Sequence, residues 1–285
     1  MHSWDGQASS VAIQLWDHQE ILKMRRAALI VHAIHDGLRG AIHPGISTGE
    51  LDRVALNVLE EHGAKSNFIG YYDYPAQTCI SRNAVMVHGI PSDTEIVEAG
   101  DLVSMDCGAV LDGYHGDSAF SVVVPGGDKT LTERRQRLCD ITEAAMWVGV
   151  AAMATESHVG DIGRAIDGFV TSFTPEPGIV EDFTGHGIGT AMHMDPDVLN
   201  YATRSRGPKL RPGMVLCIEP ILTEGKQDNV TLEDGWTTVT QDGSDACHWE
   251  AQVALHEDGI WVLSEPDGGA AALEPFGITP VPLGE

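Results

Sequence analysis

Apolar residues recur at helical spacing in four stretches of the chain. Asp17 is placed to cap the first helix, and Ser47 with Glu50 fits a capping box for the second. The predicted helices cover about residues 17–41, 47–62, 133–154 and 160–171. The pattern therefore predicts two pairs of helices, one pair in each half of the chain.

Shorter apolar and alternating runs predict strands between and after the helix pairs. The two clearest strands, about residues 102–110 and 115–124, are separated by Leu111-Asp112-Gly113-Tyr114, whose Asp-Gly pair is a strong hairpin signal. Further short strands are predicted over 78–81 and 85–88, around His186, and over 214–219, 236–240 and 250–256. Helices and hairpins together indicate an α+β fold.

Two segments of the chain repeat one pattern. His88-Gly89-Ile90 precedes an apolar run that starts at Gly100 and ends at Asp106, and His186-Gly187-Ile188 precedes a similar run from Gly213 to Glu219. Together with the repeated helix-helix-strand order, this echo predicts two related halves that face each other. A site shared by the halves would lie at the centre of one domain.

Length and composition fit a single globular domain. The chain has 285 residues, of which 42% are hydrophobic and 21% charged, so it can build a sizeable core. We expect the domain to cover residues 16–264, after a lead-in of residues 1–15. The tail, residues 265–285, is rich in Gly and Pro, and we expect it to be poorly ordered.

Charge and cysteine content argue against several classes of protein. The chain has 17 Lys and Arg against 42 Asp and Glu, so it lacks the basic face of a nucleic-acid-binding protein. It has neither a signal-like apolar run near its start nor 18 consecutive apolar residues, and we expect no membrane segment. Five scattered cysteines without a CxxC pair argue for reduced thiols in the cytoplasm.

Candidate chemistry begins with two acids on the predicted hairpin. Asp106 interrupts an apolar run, where a buried carboxylate is costly unless it is paired or binds a cation. If Asp112 and Gly113 form the loop, Gly108 faces Asp117, and the two acids become diagonal neighbours on one face. A divalent cation would remove their repulsion. The alternative is a pair of surface acids on an exposed hairpin face.

Two more acids and three histidines extend this set. Glu219 and Glu250 also interrupt apolar strands, and His186 lies in a Gly-rich loop where a purely structural role is the alternative. Four carboxylates and one imidazole can bridge two ions about 3.5–4 Å apart and lower the pKa of a bound water. Mn, Co, Fe or Zn would suit such a site. His88 and His193 could donate to an oxyanion or carry a proton, or be ordinary surface histidines.

At these residues the chain resembles the type I methionine aminopeptidases, a family of the pita-bread fold, over about residues 15–262. The resemblance implies two pseudo-symmetric helix-strand halves around a central curved antiparallel sheet. The strongest segments are NAVMVHGIP at 83–91, GDLVSMDCGAVLDGYHGDS at 100–118, GHGIG at 185–189 with His193, PGMVLCIEP at 212–220, and Glu250. All five metal ligands of that family are matched in order.

The resemblance assigns a role to each of these positions. It implies metal ligands at Asp106, Asp117, His186, Glu219 and Glu250, and catalytic roles for His88, His193 and Glu219. It also implies that Tyr71, Tyr74, Cys79 and Trp236 line the methionine pocket and that His88 and His193 contact the scissile peptide. The implied enzyme is a monomer with two divalent ions that removes the initiator methionine from nascent proteins and peptides with a small second residue, with transient contact to the ribosome.

Three positions depart from the family pattern. Phe68 stands where Cys is frequent, and Met192 stands where an aromatic residue is common, so both change the methionine pocket. Ala251-Gln252 replaces His-Thr after Glu250 and touches the surroundings of the metals. One alternative is another pita-bread hydrolase, such as an X-Pro aminopeptidase, although those usually carry an extra N-terminal domain. The other is a binding protein that has lost catalysis.

Overall fold

The structure is a computed structural model that describes residues 12–284. Its helices are α1 (His18–Ala41), α2 (Thr48–Glu61), α3 (Lys129–Thr155), α4 (Val159–Val170) and the short α5 (Ala270–Leu273). Its strands are β1 (Thr78–Arg82), β2 (Val85–Val87), β3 (Leu102–Leu111), β4 (Tyr114–Val123), β5 (Gly178–Ile179), β6 (Gly185–Gly187), β7 (Met194–Val198), β8 (Val215–Ile218), β9 (Ile221–Thr223), β10 (Asn229–Thr231), β11 (Thr238–Thr240), β12 (Ala246–His248), β13 (Ala251–His256) and β14 (Gly259–Val262). The predicted α+β class is confirmed.

The first two helices begin where their capping patterns predict. The Asp17 side chain accepts from the Glu20 amide, and the Glu20 side chain accepts from the Asp17 amide. Ser47 and Glu50 form the same reciprocal pair at the start of α2. Helix α3 begins about one turn earlier than predicted, because Asp128 caps it through the Leu131 amide.

The hairpin β3–β4 has the predicted register. Asp112 and Gly113 both take positive φ angles, 52° and 81°, as a two-residue type I′ turn requires. Gly108 therefore pairs with Asp117, and Asp106 pairs with Ala119. The side chains of Asp106 and Asp117 consequently share one face of the hairpin.

Two antiparallel sheets meet at the centre of the domain. One has the strand order β1-β3-β4, and the other has the order β14-β13-β8-β6-β7. They are joined where Ala119 and Glu250 exchange backbone hydrogen bonds of 3.3 and 3.0 Å. The smaller sheets β10-β11-β2 and β12-β9-β5 complete the strand structure of residues 12–284.

Each helix pair packs on its own core. The core beneath α1 and α2 includes Val31, Ile34, Leu51, Val103, Met105 and Phe120. The core beneath α3 and α4 includes Met146, Ile162, Ile166, Leu216, Ile218 and Val253. Helix α3 is long and apolar enough to cross a membrane by composition alone, but two thirds of that stretch (67%) is buried inside the domain, as in the core helix of a soluble protein.

The segment after Ser264 is ordered, so the expectation of a poorly ordered tail is wrong. The Arg25 guanidinium donates to the carbonyls of Leu263 and Pro266 at 2.7 and 2.9 Å. Further along, the Val281 amide donates to the Ile260 carbonyl at 2.8 Å. Gly and Pro content did not predict this, because order here depends on partners that lie far away in the sequence.

Candidate metal centre

Strands from both halves of the domain carry the five predicted ligands to one place. The hairpin supplies Asp106 and Asp117, strand β6 supplies His186, and Glu219 follows β8. Glu250 immediately precedes β13 and occupies the backbone bridge between the two sheets. Pairing of Ala251 with Ile218 sets Glu250 beside Glu219.

Potential ligand atoms form three overlapping groups, each within 4.8 Å. The groups are Asp106, Asp117 and Glu250; His186, Cys217 and Glu250; and Glu219, His248 and Glu250. Glu250 belongs to all three and therefore lies where a carboxylate can bridge two ions. The structure thus brings together all five residues that the sequence proposed as ligands.

The acids of this cluster are largely inaccessible to solvent. Asp117 is 3% exposed and Glu250 4%, so the alternative of surface acids on an open hairpin face is wrong. Within residues 12–284, one oxygen of each acid has neither solvent contact nor a hydrogen-bond partner; these are Asp106 Oδ1, Asp117 Oδ1, Glu219 Oε1 and Glu250 Oε1. Orphaned buried oxygens are costly, and a divalent cation would satisfy them. The donor set therefore fits metal ions.

Electrostatics divide the acids into two kinds. Burial raises the pKa of Asp106 to about 7, and burial with the neighbouring Asp106 and Glu219 raises the pKa of Asp117 well above its usual range. Burial and the charge of Asp117 do the same to the pKa of Glu250. Burial also acts to raise the pKa of Glu219, but contacts with His248 and His186 outweigh it and the pKa is lowered.

The two other predicted histidines adjoin the cluster in different ways. His193 is exposed at the rim, its Nδ1 lies 2.8 Å from the Tyr71 hydroxyl, and its ring meets that of His186 edge-on at 4.4 Å. His88 is half-buried with a positive φ of 58°, and burial together with His248 lowers its pKa to about 4. His88 is therefore a neutral imidazole at pH 7.

An apolar cluster contains all six residues proposed for the methionine pocket. Phe68, Tyr74, Cys79 and Met192 are buried in it, with Tyr71 and Trp236 packed against them. Its walls touch the acids, because Cys79 pairs with Asp106 across β1 and β3. The apolar cluster therefore lies next to the acid cluster.

Comparison with known proteins decides the family. The model of metallopeptidase family M24 matches residues 22–257. The chain belongs to metallopeptidase family M24. Methionine aminopeptidase 1 of Mycobacterium tuberculosis is 43% identical over 249 residues, which cover 86% of this chain and 92% of that protein. A methionine aminopeptidase of Clostridium acetobutylicum is 40% identical over 86% of this chain and 96% of that protein.

A solved structure confirms the predicted architecture of this M24 chain. The methionine aminopeptidase of Thermotoga maritima superposes with a TM-score of 0.84 at 34% identity, covering 89% of this chain and 99% of that one. The pita-bread fold is therefore confirmed. As an M24 member the protein is a metal-dependent hydrolase, and these relatives do not favour the alternative of a catalytically silent binding protein.

Two residues near the acids were missed in the sequence. His248 and Cys217 each belong to one of the three ligand groups. Each lies two residues before a proposed ligand, Glu250 and Glu219 respectively, and this is the spacing that places strand side chains on one face. That spacing could have found both residues. The prediction stopped at the five family positions instead.

Proposed function

We propose that this M24 hydrolase cleaves the peptide bond after an N-terminal methionine, using two divalent ions held by Asp106, Asp117, His186, Glu219 and Glu250. The observation that carries the proposal is the junction between the acid cluster and the apolar cluster, joined where Asp106 pairs with Cys79. The bound ions would polarise the scissile carbonyl and lower the pKa of a water.

The apolar cluster accounts for recognition of methionine. Its buried walls combine the aromatic rings of Phe68 and Tyr74 with Met192, all suited to a flexible thioether side chain. The adjacent carboxylates attract the free α-ammonium group of a polypeptide, so the site favours the end of a chain over its interior. Bulky Phe68 sets the length of side chain that fits.

The histidines and Glu219 account for proton handling and carbonyl binding. The Tyr71 hydroxyl engages Nδ1 of His193, so His193 would use Nε2 to donate to the scissile carbonyl. Glu219, whose pKa is lowered, is ionised at neutral pH and can accept a proton from the attacking water. The proton taken up by Glu219 would then pass to the leaving amine, either directly from Glu219 or through His88.

The proposal also covers the enzyme's substrates in the cell, its location and its oligomeric state. Relatives 40% and 43% identical carry the name methionine aminopeptidase, which supports polypeptides with an N-terminal methionine as substrates. We propose in addition that these are nascent chains with a small second residue. We place the enzyme in the cytoplasm as a monomer in transient contact with the ribosome. An X-Pro aminopeptidase is the competing function and is not favoured by these relatives.

Peptide hydrolysis tests the proposal directly. Protein purified without chelator and supplied with Co²⁺ or Mn²⁺ should release methionine from Met-Ala-Ser, and a chelator should stop the release. Leu-Ala-Ser and Ala-Pro-Ser serve as matched peptides and should be cleaved far more slowly. Faster cleavage of Ala-Pro-Ser than of Met-Ala-Ser would replace the proposed function by the X-Pro alternative.

A further inference from the structure

His248 is a buried imidazole fixed beside the metal centre. It ends β12 and is 3% exposed. Its amide donates to the Ser104 hydroxyl at 3.1 Å, and its carbonyl accepts from the Ser121 hydroxyl at 2.7 Å. Both serines lie on the β3–β4 hairpin, so the backbone of His248 is held against the strands that carry Asp106 and Asp117. Such anchoring gives the imidazole a defined position.

The imidazole points at Glu219 without completing a hydrogen bond. Its Nε2 lies 3.5 Å from Glu219 Oε2, and within residues 12–284 this buried atom has no hydrogen-bond partner. On the other side of the same carboxylate, His186 Nε2 lies 3.3 Å from Glu219 Oε1. Glu219 is therefore flanked by two imidazole nitrogens at nearly equal distances.

These distances match the spacing of ligands around one ion. Nitrogen and oxygen atoms about 2.1 Å from a tetrahedral metal ion lie about 3.4 Å from each other. A direct N–H to carboxylate hydrogen bond would instead be about 2.7–2.9 Å long. The potential ligand atoms of His248, Glu219 and Glu250 also lie within 4.8 Å of one another. The distance between His248 Nε2 and Glu219 Oε2 therefore fits two ligand atoms of one ion better than a direct hydrogen bond.

We propose that His248 is a sixth ligand residue of the metal centre, which adds a second imidazole to the centre beside Glu219 and Glu250. This inference rests on the metal site of the proposed function, not on the methionine specificity. It makes one side of the centre rich in nitrogen. Imidazole ligands suit Zn, Cu, Fe and Ni, so His248 shifts metal preference away from Mn²⁺.

Metal binding to His248→Gln tests the proposal without any peptide. Titration of metal-free protein with Co²⁺ by calorimetry should show one of two sites weakened at least about 10-fold. X-ray absorption of the Co²⁺-loaded protein should show two imidazoles per pair of ions in the unchanged chain and one in the variant. Mn²⁺ affinity should fall less than Co²⁺ affinity.

Controls separate a ligand from a structural residue. His256→Gln removes a buried histidine from neighbouring β13, where Nε2 lies 2.7 Å from the Val281 carbonyl, and should leave both readouts unchanged. His248→Asn provides a smaller variant if His248→Gln unfolds. An unchanged imidazole count and Co²⁺ affinity in a folded His248 variant would overturn the proposal. Failure of methionine release alone would not, because metal binding is measured separately.

Discussion

The two halves of the domain resemble each other in sequence pattern but contribute different chemistry to the centre. The N-terminal half supplies only carboxylates, Asp106 and Asp117, from one hairpin. The C-terminal half supplies imidazole as well as carboxylate, from His186, Glu219 and Glu250. A repeated scaffold therefore produces an asymmetric site. On one side all candidate ligand atoms are oxygens (the oxygen-only side), and on the other side they are nitrogens and oxygens.

The difference also appears in how each half tolerates its buried charge. The hairpin acids have raised pKa values, because burial outweighs the opposing charge of His248 at Asp106 and the opposing Ser118 amide at Asp117. Glu219 has a lowered pKa, because imidazoles flank it. The oxygen-only side thus depends on a metal ion for its compensation. In the C-terminal half the imidazoles compensate Glu219, but Glu250 has a raised pKa like the hairpin acids.

The largest effect should come from removing one hairpin charge. Asp117→Asn keeps the shape of the side chain but removes a carboxylate that faces both Asp106 and Glu250. We expect loss of one of the two ions and a fall in kcat of about 10³-fold, since charge stabilisation at the reacting group is lost. Metal analysis of the purified protein and peptide hydrolysis measure the two effects.

Asp112→Asn is the matched control for this change. It makes the same substitution five residues away on the same hairpin, in an exposed turn whose positive φ asparagine tolerates. Metal content and kcat should stay as in the unchanged chain. Near-normal turnover in Asp117→Asn would show that the ligands of the C-terminal half are sufficient for catalysis without the Asp117 carboxylate.

The second-largest effect should come from weakening the packing of the β3–β4 hairpin on α1. Gly116 lies against α1, and a Cβ added there would sit 2.4 Å from the Ala28 backbone nitrogen. Gly116→Ala should therefore push the hairpin off α1 and cost about 3 kcal/mol of unfolding free energy. Denaturant unfolding measures this loss. Metal affinity should fall with it, because Asp117 is the next residue.

Gly40→Ala is the control for Gly116→Ala, because it makes the same substitution at a glycine of α1 that has open space around it. Gly40 lies in α1 with no atom within 4 Å of an added Cβ, so alanine should stabilise the helix by about 0.5–1 kcal/mol. If Gly116→Ala is equally harmless, the hairpin position does not depend on close contact with α1.

Local sequence patterns were sufficient for the hairpin and the first helices. The Asp112-Gly113 turn fixed the register of ten residue pairs, so the facing of Gly108 and Asp117 followed from a single local feature. The caps at Asp17 and Ser47 likewise needed only residues three positions away. Such features are predictable because their partners are close in the sequence.

Features that depend on distant partners were not predictable. Strand β12 has three residues, too few for a periodic pattern, and exists because it pairs with β9. The strand that carries His248 was therefore not predictable, and only the spacing of His248 from Glu250 signalled this residue. The same holds for the tail, whose order depends on Arg25, about 240 residues earlier. Tertiary pairing decides these elements, and a single sequence does not display it.

The smallest effect should be a weakening of the hairpin half in mild acid. His35 on α1 is 4% exposed, with Nε2 3.0 Å from the Ser118 carbonyl on β4, and burial lowers its pKa to about 3. The unfolded chain takes up a proton near pH 6.5, whereas the folded chain stays neutral. The stability is therefore complete above about pH 6.5 and is lost as the pH falls toward 3.

Because protonation of His35 is linked to unfolding, the stability of the hairpin half should depend on pH in a way that can be measured. Lowering the pH from 8 to 6 should cost about 1 kcal/mol more in the unchanged chain than in His35→Gln, whose amide can still donate to the Ser118 carbonyl. Denaturant unfolding of both proteins at equal metal concentration measures the difference. Hydrogen exchange at pH 6 should rise first in α1 and β4, ahead of α3 and β13. Parallel pH dependences in the two proteins would remove His35 as the cause of any acid sensitivity of the hairpin half.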